Sequence, residues 1–433
     1  VLRNQRRRSS ADSSLAGSRY IMLVLFACIT GFDQHQAPKT LDAAAAHRAW
    51  HLQEQQASTD VGETPAILNL TVLNATKHPD ARCADGSPGA YYHTKSTRQG
   101  RYKWVFELSG GATCGDGKSC SEDVENIFST KHQNLPPLMK PQAYSIMYDA
   151  PMRDWNRVMP MYCSMDFWTG GRTEATSETF GLYFSGRKVL EGILGDLDAF
   201  HGLEEANEIL FTGVSGGSVG VAHYLDRMAA RYPNARVTGV MSSGFYFHST
   251  HYTGPSSTFV ASHGDLSEKA LPALHHLWNA SVDESCAAAM GANEHWRCLL
   301  VNNSYPYVDT PKFIAQAQTD SGELFTHEWL PALPDGAKTA DALSPELRSY
   351  LSEYSHNMSI ALAAPMASTS PDGVWSPACY AHRKFEECLV GGKTFNDAFA
   401  SWYVGGQQVK LIDTCGILCN PTCPDRPLLY EES

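Results

Sequence analysis

Short apolar runs separated by polar turns recur from about residue 65 onward, with amphipathic stretches between them. WVFEL (104–108), EILF (208–211), VTGVMSS (237–243) and KFIAQAQ (312–318) have the length and apolar content of buried strands. Two segments repeat apolar residues at helical spacing instead. After EILF a glycine-rich turn leads into VAHYLDRMAARYP, where Val221, Leu225, Met228 and Ala229 share one face and Pro233 stops the run. PELRSYLSEYSHNMSIALAA (345–364) is the other. A strand, a tight turn and a helix around residue 215 imply parallel pairing with a right-handed crossover. The pattern predicts a single α/β domain with a mostly parallel central sheet flanked by helices. The loops are long, as expected where loops build a site and are pinned in place. No internal repeat is visible.

The amino terminus departs from this pattern. Arg3, Arg6, Arg7, Arg8 and Arg19 precede the apolar stretch YIMLVLFACITGF. That stretch is short for a membrane span and suits the apolar region of a secretory leader. Residues 1–32 are therefore expected to be a signal peptide, cleaved somewhere after Cys28, with a short type II anchor as the alternative. Residues 33–64 read as a helical or disordered linker, and 65–433 as the folded domain. After cleavage no stable membrane insertion is expected.

Composition narrows the picture. The 433 residues are 43% hydrophobic and 18% charged, which is globular composition. A net charge of −12 without a long basic run argues against a nucleic-acid partner. Of twelve cysteines, Cys28 lies in the apolar stretch, and the remaining odd number leaves at least one thiol free or paired outside the chain. Cys415, Cys419 and Cys423 have a spacing that suits a metal cluster, but no histidine stands near them and a secreted chain favours disulfides. No metal and no cofactor are expected. Sequons at Asn69, Asn74, Asn279, Asn302 and Asn357 fit a secreted glycoprotein.

GVSGGSVG (213–220) reads twice as G-x-S-x-G, centred on Ser215 or on Ser218. Ser215 falls in the turn between strand and helix, where flanking glycines permit a sharp bend and close approach of a substrate. Ser218 falls in the first helical turn, where a serine satisfies a free N–H. A phosphate-cradling loop is the competing reading, but the lysine of a P-loop and the spacing of a dinucleotide fingerprint are both missing. A serine nucleophile needs a base, and the base needs a carboxylate to orient it. KFIAQAQTD ends on Asp320, just past a strand, where a carboxylate points into the crevice; the same aspartate also suits a helix N-cap. His327, His356 and His382 all follow it. His356 sits beside a sequon in a helical pattern, and His327 shares the stretch after Asp320. His382 lies in SPACYAHRKF, a loop that a disulfide can anchor. Gly216 follows the nucleophile and supplies one oxyanion N–H, and the turn after WVFEL offers Gly110, Gly111 and Ala112 for another; an ordinary β-turn is the bland alternative.

Seven blocks occur in order: CADGSPGAYY (83–92), ELSGGATC (107–114), MYCSMDFWTGG (161–171), FTGVSGGS (211–218), TDSGEL (319–324), SPACYAH (376–382) and CNPTCP (419–424). Together they resemble the pectin acetylesterase/Notum family of secreted serine carboxylesterases, over about residues 65–425. The resemblance implies an α/β-hydrolase-like fold and a Ser215–Asp320–His382 triad. It also implies oxyanion donors at Gly111, Ala112 and Gly216. Cys83 and Cys163 lie in two of the blocks and Cys114 and Cys120 close a short loop beside the oxyanion strand, so both pairs are expected to be bridged. Four departures bear on the acyl pocket. Ser109 and Ser242 stand where the family usually has acidic residues, Ala112 and Thr113 occupy a position usually aromatic, and Ser218 replaces a glycine. The family acts either on acetylated polysaccharide or, in animal Notum, on a long unsaturated acyl chain carried by a Wnt serine. The expectation here is an extracellular esterase removing a short O-acyl group, acetyl above all, from a polysaccharide such as pectin. A Notum-like protein deacylase and an inactive glycan- or lipid-binding homologue are the alternatives.

Overall fold

Alternating apolar residues let one sheet carry two cores. Trp104, Phe106, Ile209, Phe211, Met241 and Ile314 pack on one face, and Val105, Leu210, Val240, Phe313 and Ala315 on the other. The computed structural model describes residues 67–424, apart from 97–99, 140–145, 147–151, 153, 258–264, 335–336 and 384. The expected leader (1–32) and linker (33–64) lie outside the described residues.

The strands are β1 (Leu68–Val72), β2 (Ala90–Thr94), β3 (Gly100–Leu108), β4 (Leu138–Met139) and β5 (Trp155–Pro160), then β6 (Glu208–Val214), β7 (Arg236–Ser242), β8 (Lys312–Ala315), β9 (Gly373–Ser376) and β10 (Lys410–Ile412). They form one ten-stranded sheet in the order β10-β9-β8-β7-β6-β3-β5-β2-β1-β4. Pairing is parallel from β10 through β5 and antiparallel at β5–β2, β2–β1 and β1–β4. The expected α/β fold with a mostly parallel sheet is thus present.

The helices Gly186–His201 and Gly216–Arg231 cover one face through Val189, Leu190, Ile193, Val219, Val221 and Leu225. The helix Phe395–Tyr403 covers the other through Phe395, Phe399 and Trp402. The chain goes from β3 to β5 on one side and then to β6 on the other, so the strand order reverses between β3 and β6. Ligand sites in such sheets form outside the carboxyl ends at that reversal.

Boundaries differ from the sequence reading at two informative places. KFIAQAQ stops being strand at Ala315, because Gln316 and Gln318 spend their side chains on loop contacts: Gln316 Nε2 donates to Asp320, and Gln318 Nε2 to the Asp413 carbonyl. The helical pattern 345–364 is two helices, Pro345–Ala361 and Ala363–Ala367, with Pro365 inside the second.

Disulfides pin the loops. Cys83–Cys163 and Cys114–Cys120 are bridged as expected, with Cys286–Cys298, Cys379–Cys423 and Cys415–Cys419 besides. Cys388 is a free, buried thiol. Among the described residues no helix is long and apolar enough to cross a membrane.

Candidate active site

The turn that joins β6 to its helix holds Ser215 at φ 56°, ψ −128°. A non-glycine residue at positive φ is strained and persists only where its surroundings over-determine it. Here the serine N–H donates to the Ser242 carbonyl on β7 at 2.9 Å, and its own carbonyl accepts from Ser218 N at 2.9 Å. A Cβ on Gly110 would lie 2.7 Å from Ser215 Cβ, so the turn after β3 can approach only as glycine. Ser218 is fully buried and its hydroxyl lies 2.8 Å from the Gly213 carbonyl and 2.7 Å from that of Ser242. That second serine ties the ends of β6 and β7 together.

Asp320 follows β8 and is fully buried. Its Oδ1 accepts from His382 Nδ1 at 2.6 Å, from Gly322 N at 2.9 Å and from Glu323 N at 3.0 Å. The catalytic and helix-capping readings of this aspartate therefore describe one atom: it caps the helix Ser321–Thr326 and holds the imidazole. Oδ2 accepts from Gln316 Nε2 at 2.9 Å. A proton on Nδ1 leaves Nε2 with its lone pair, the tautomer a general base needs.

His382 is buried in a loop stapled by Cys379–Cys423. The Ser243 hydroxyl donates to its carbonyl. The ring lies against Gly322, where a Cβ would stand 2.5 Å from Cγ and Nδ1. The other two histidines go elsewhere. His356 is exposed. His327 is the buried C-cap of the short helix, its ring 5.5 Å from Tyr246 and 6.2 Å from Phe167.

The oxyanion candidates lie on the turn beside the elbow. A Cβ on Gly110 would be 3.0 Å from Gly216 N, which places that turn against the first N–H of the helix. Ser109 anchors it: its carbonyl accepts from Trp168 Nε1 at 3.0 Å, and its hydroxyl bridges the Pro160 carbonyl and Tyr162 N at 3.2 Å each. Cys114–Cys120 and a 3.1 Å bond from Trp278 Nε1 to the Cys114 carbonyl hold the far end.

Two contacts were not foreseen from the sequence. Ser215 Oγ lies 3.2 Å from Tyr246 Oη, its one hydrogen-bond partner among the described residues, so the structure does not join Ser215 to His382. Gln316, four residues before Asp320, links the acid to the segment after β7 by accepting from Phe245 N at 2.9 Å. Burial pushes the Tyr246 hydroxyl well above its ordinary value, the Ser215 bond opposes that shift and the Asp320 charge adds to it. Glu323 is raised as well, by burial and then by Asp320, and accepts from Tyr354 Oη at 2.7 Å. A glutamine amid an apolar strand pattern was the one available sequence signal.

Comparison with known proteins adds identity to this geometry. The family model described as Pectinacetylesterase matches residues 61–424. Pectin acetylesterase 11 of Arabidopsis thaliana is 24% identical over 383 residues, covering 82% of this chain and 92% of that protein. Palmitoleoyl-protein carboxylesterase NOTUM of Homo sapiens is 24% identical over 383 residues, covering 81% and 73%. The solved structure of the Wnt deacylase Notum from Drosophila has the same fold, with a TM-score of 0.69 at 23% identity over 83% of this chain and 100% of that one.

Proposed function

The chain belongs to the pectinacetylesterase family, and from that membership we propose that it is a secreted serine carboxylesterase removing O-acetyl groups from an extracellular polysaccharide such as pectin. Ser215 attacks the acyl carbonyl, His382 takes its proton through Nε2, and Asp320 holds the imidazole and stabilises its cation. Backbone N–H groups of Gly111, Ala112 and Gly216 receive the charge that develops on the carbonyl oxygen. The alcohol leaves with the proton from His382. Water then attacks the acyl-enzyme by the same route in reverse.

The observation that carries this reading is the 2.6 Å Asp320–His382 contact, built by the loops after β8 and β9 beside a strained serine elbow. For a short acyl group, the support lies beside the serine. Phe167, Tyr246, Trp278 and His327 pack ring against ring there.

A second reading, a protein O-acyl deacylase, has one observation in its favour. A cavity of about 300 Å³ is lined by Phe128, Met139, Met159, Met161, Gly110 and His382, among others. Its walls suit an alkyl chain, but Ser215 is not among the residues that line it. The acetyl reading therefore stands first. Hydrolysis of acetyl and octanoyl nitrophenyl esters decides between them. Each buried methylene adds about 0.8 kcal/mol of binding, so a true alkyl pocket raises kcat/KM steeply with chain length. A fall from acetyl to octanoyl is expected, and a steep rise reverses the assignment. Ser215→Ala should abolish turnover of both esters.

A further inference from the structure

Ser215 Oγ and Tyr246 Oη are 3.2 Å apart, both buried. Either oxygen can donate in that pair, but a phenol is the stronger acid and a buried hydroxyl hydrogen needs an acceptor. Ser215 is the one hydrogen-bond partner of that phenol among the described residues. The greater acidity of the phenol favours the arrangement with the Tyr246 hydrogen on Ser215 Oγ, which leaves the serine hydrogen for His382 when the two meet in the reaction.

The ring cannot swing away easily. Its backbone carbonyl accepts from Asn302 N at 3.0 Å, and the preceding Phe245 N is held by Gln316 at 2.9 Å. Phe167 and His327 pack on the ring at 5.7 Å and 5.5 Å between centroids. The donor is thus preorganised toward one atom, which is the condition under which a hydrogen bond contributes to a rate.

That atom changes its charge in opposite senses in the two halves of an ester hydrolysis. In acylation, Oγ gives its proton to His382 Nε2 and its electron pair to the acyl carbon, so a donor bonded to Oγ weakens the attack. In deacylation, water gives a proton to His382 and adds to the acyl carbon. The C–Oγ bond then breaks, and Oγ takes back the electron pair followed by the proton from His382. A donor bonded to Oγ stabilises that departure. The tyrosine proton itself never transfers.

We propose that Tyr246 is a catalytic residue that donates a hydrogen bond to Ser215 Oγ and thereby speeds deacylation while slowing acylation. The inference rests on Ser215 as nucleophile, and its test keeps the two apart. Tyr246→Phe removes one oxygen and keeps the ring packing. Stopped-flow hydrolysis of p-nitrophenyl acetate should then show a burst stoichiometric with enzyme. The steady rate after it should fall roughly 100-fold, the lower end of the loss for a single preorganised donor. The burst phase should be as fast as the acylation of the wild type or faster. Hydroxylamine should raise the slow phase, and kcat should become the same for p-nitrophenyl and phenyl acetates. A parallel fall of both phases, or unchanged rates in both, overturns the proposal. Thermal denaturation of the same variant at the wild-type temperature separates either result from a folding defect. Wild-type turnover retained by Ser215→Ala would instead overturn the nucleophile assignment, whatever Tyr246→Phe does.

Discussion

Replacing Asp320 by asparagine separates the two jobs of that side chain. Asparagine and serine cap helices about as well as aspartate, so the cap on Ser321–Thr326 survives a serine, and an asparagine whose oxygen takes the Oδ1 position. What changes is the contact with His382. With its oxygen at the Oδ1 position, the amide still accepts from Gly322 N, Glu323 N and His382 Nδ1, which lie 2.6–3.0 Å away in the wild type. Its NH2 then faces Gln316 Nε2, which cannot turn over because Gln316 Oε1 is committed to Phe245 N at 2.9 Å. A donor is left facing a donor in a buried site, at a cost of about 1–3 kcal/mol. The flipped amide relieves that clash but gives up the cap, because it confronts Gly322 N, Glu323 N and the imidazole with N–H. His382 then adopts the tautomer with its hydrogen on Nε2, and the base is lost. Either way the charge that steadies the imidazolium is gone. The expected loss in kcat is about 10⁴-fold, the size found for the corresponding change in a serine protease triad. Asp320→Ser keeps the cap but does not reach the ring; it leaves His382 Nδ1 and Gln316 Nε2 without that acceptor, so it should lose activity to a similar degree and be destabilised as well. The assay is nitrophenyl acetate hydrolysis with thermal denaturation in parallel. Variants that melt lower yet keep kcat/KM within tenfold of wild type would reduce Asp320 to a helix cap and refute the triad.

Ser218→Ala should keep esterase activity and lose about 1–3 kcal/mol of stability, since its hydroxyl ties the Gly213 and Ser242 carbonyls together. An inactive Ser218→Ala with normal stability would contradict this role. Burial raises the Glu328 carboxyl from its ordinary value to about 7. A raised acid contributes stability that is fully present below the unfolded value near 4.5 and lost as pH rises through 7. Glu328→Gln should therefore stabilise the protein at pH 8, by up to about 3 kcal/mol, and leave it nearly unchanged at pH 4.5; equal shifts in Tm at both pH values would be the contrary result. In the chain-entropy account, losing Cys83–Cys163, which spans 80 residues, should cost about 4.5 kcal/mol, and losing Cys114–Cys120, which spans 6, about 2 kcal/mol. Denaturant titration of the paired serine variants ranks them. Burial, with the Glu386 charge next, pushes the Cys388 thiol up to about 12, so it should resist thiol reagents at pH 8 until the protein unfolds. Prompt labelling of the native protein would contradict that.

The central elements were legible because their signals are local. An apolar run, a glycine-flanked serine and a helical repeat closed by Pro233 lie within residues 208–233, and the same short span forms β6, the elbow and its helix. A strand pattern ending at Asp320 is local in the same way. Burial within one strand or helix follows from the period of its own residues, so the chain alone determined where these pieces fall. Composition and the odd cysteine count likewise implied a disulfide-pinned domain with a spare thiol.

Other features belong to no single stretch. The antiparallel strands β1, β2 and β4 are short, and their pairing depends on partners far along the chain. Position alone left three histidines open after Asp320. The chain meets Asp320 again 62 residues later at His382, and only because β8 and β9 are parallel neighbours. The Ser215–Tyr246 contact spans 31 residues and needs β6 beside β7. Which cysteine stays free was equally undetermined, because pairing depends on which sulfurs the packed loops bring within bonding distance. Periodicity records which residues prefer burial, whereas the order of strands in the sheet decides which buried residues meet, and that order is set by the packing of the whole chain at once.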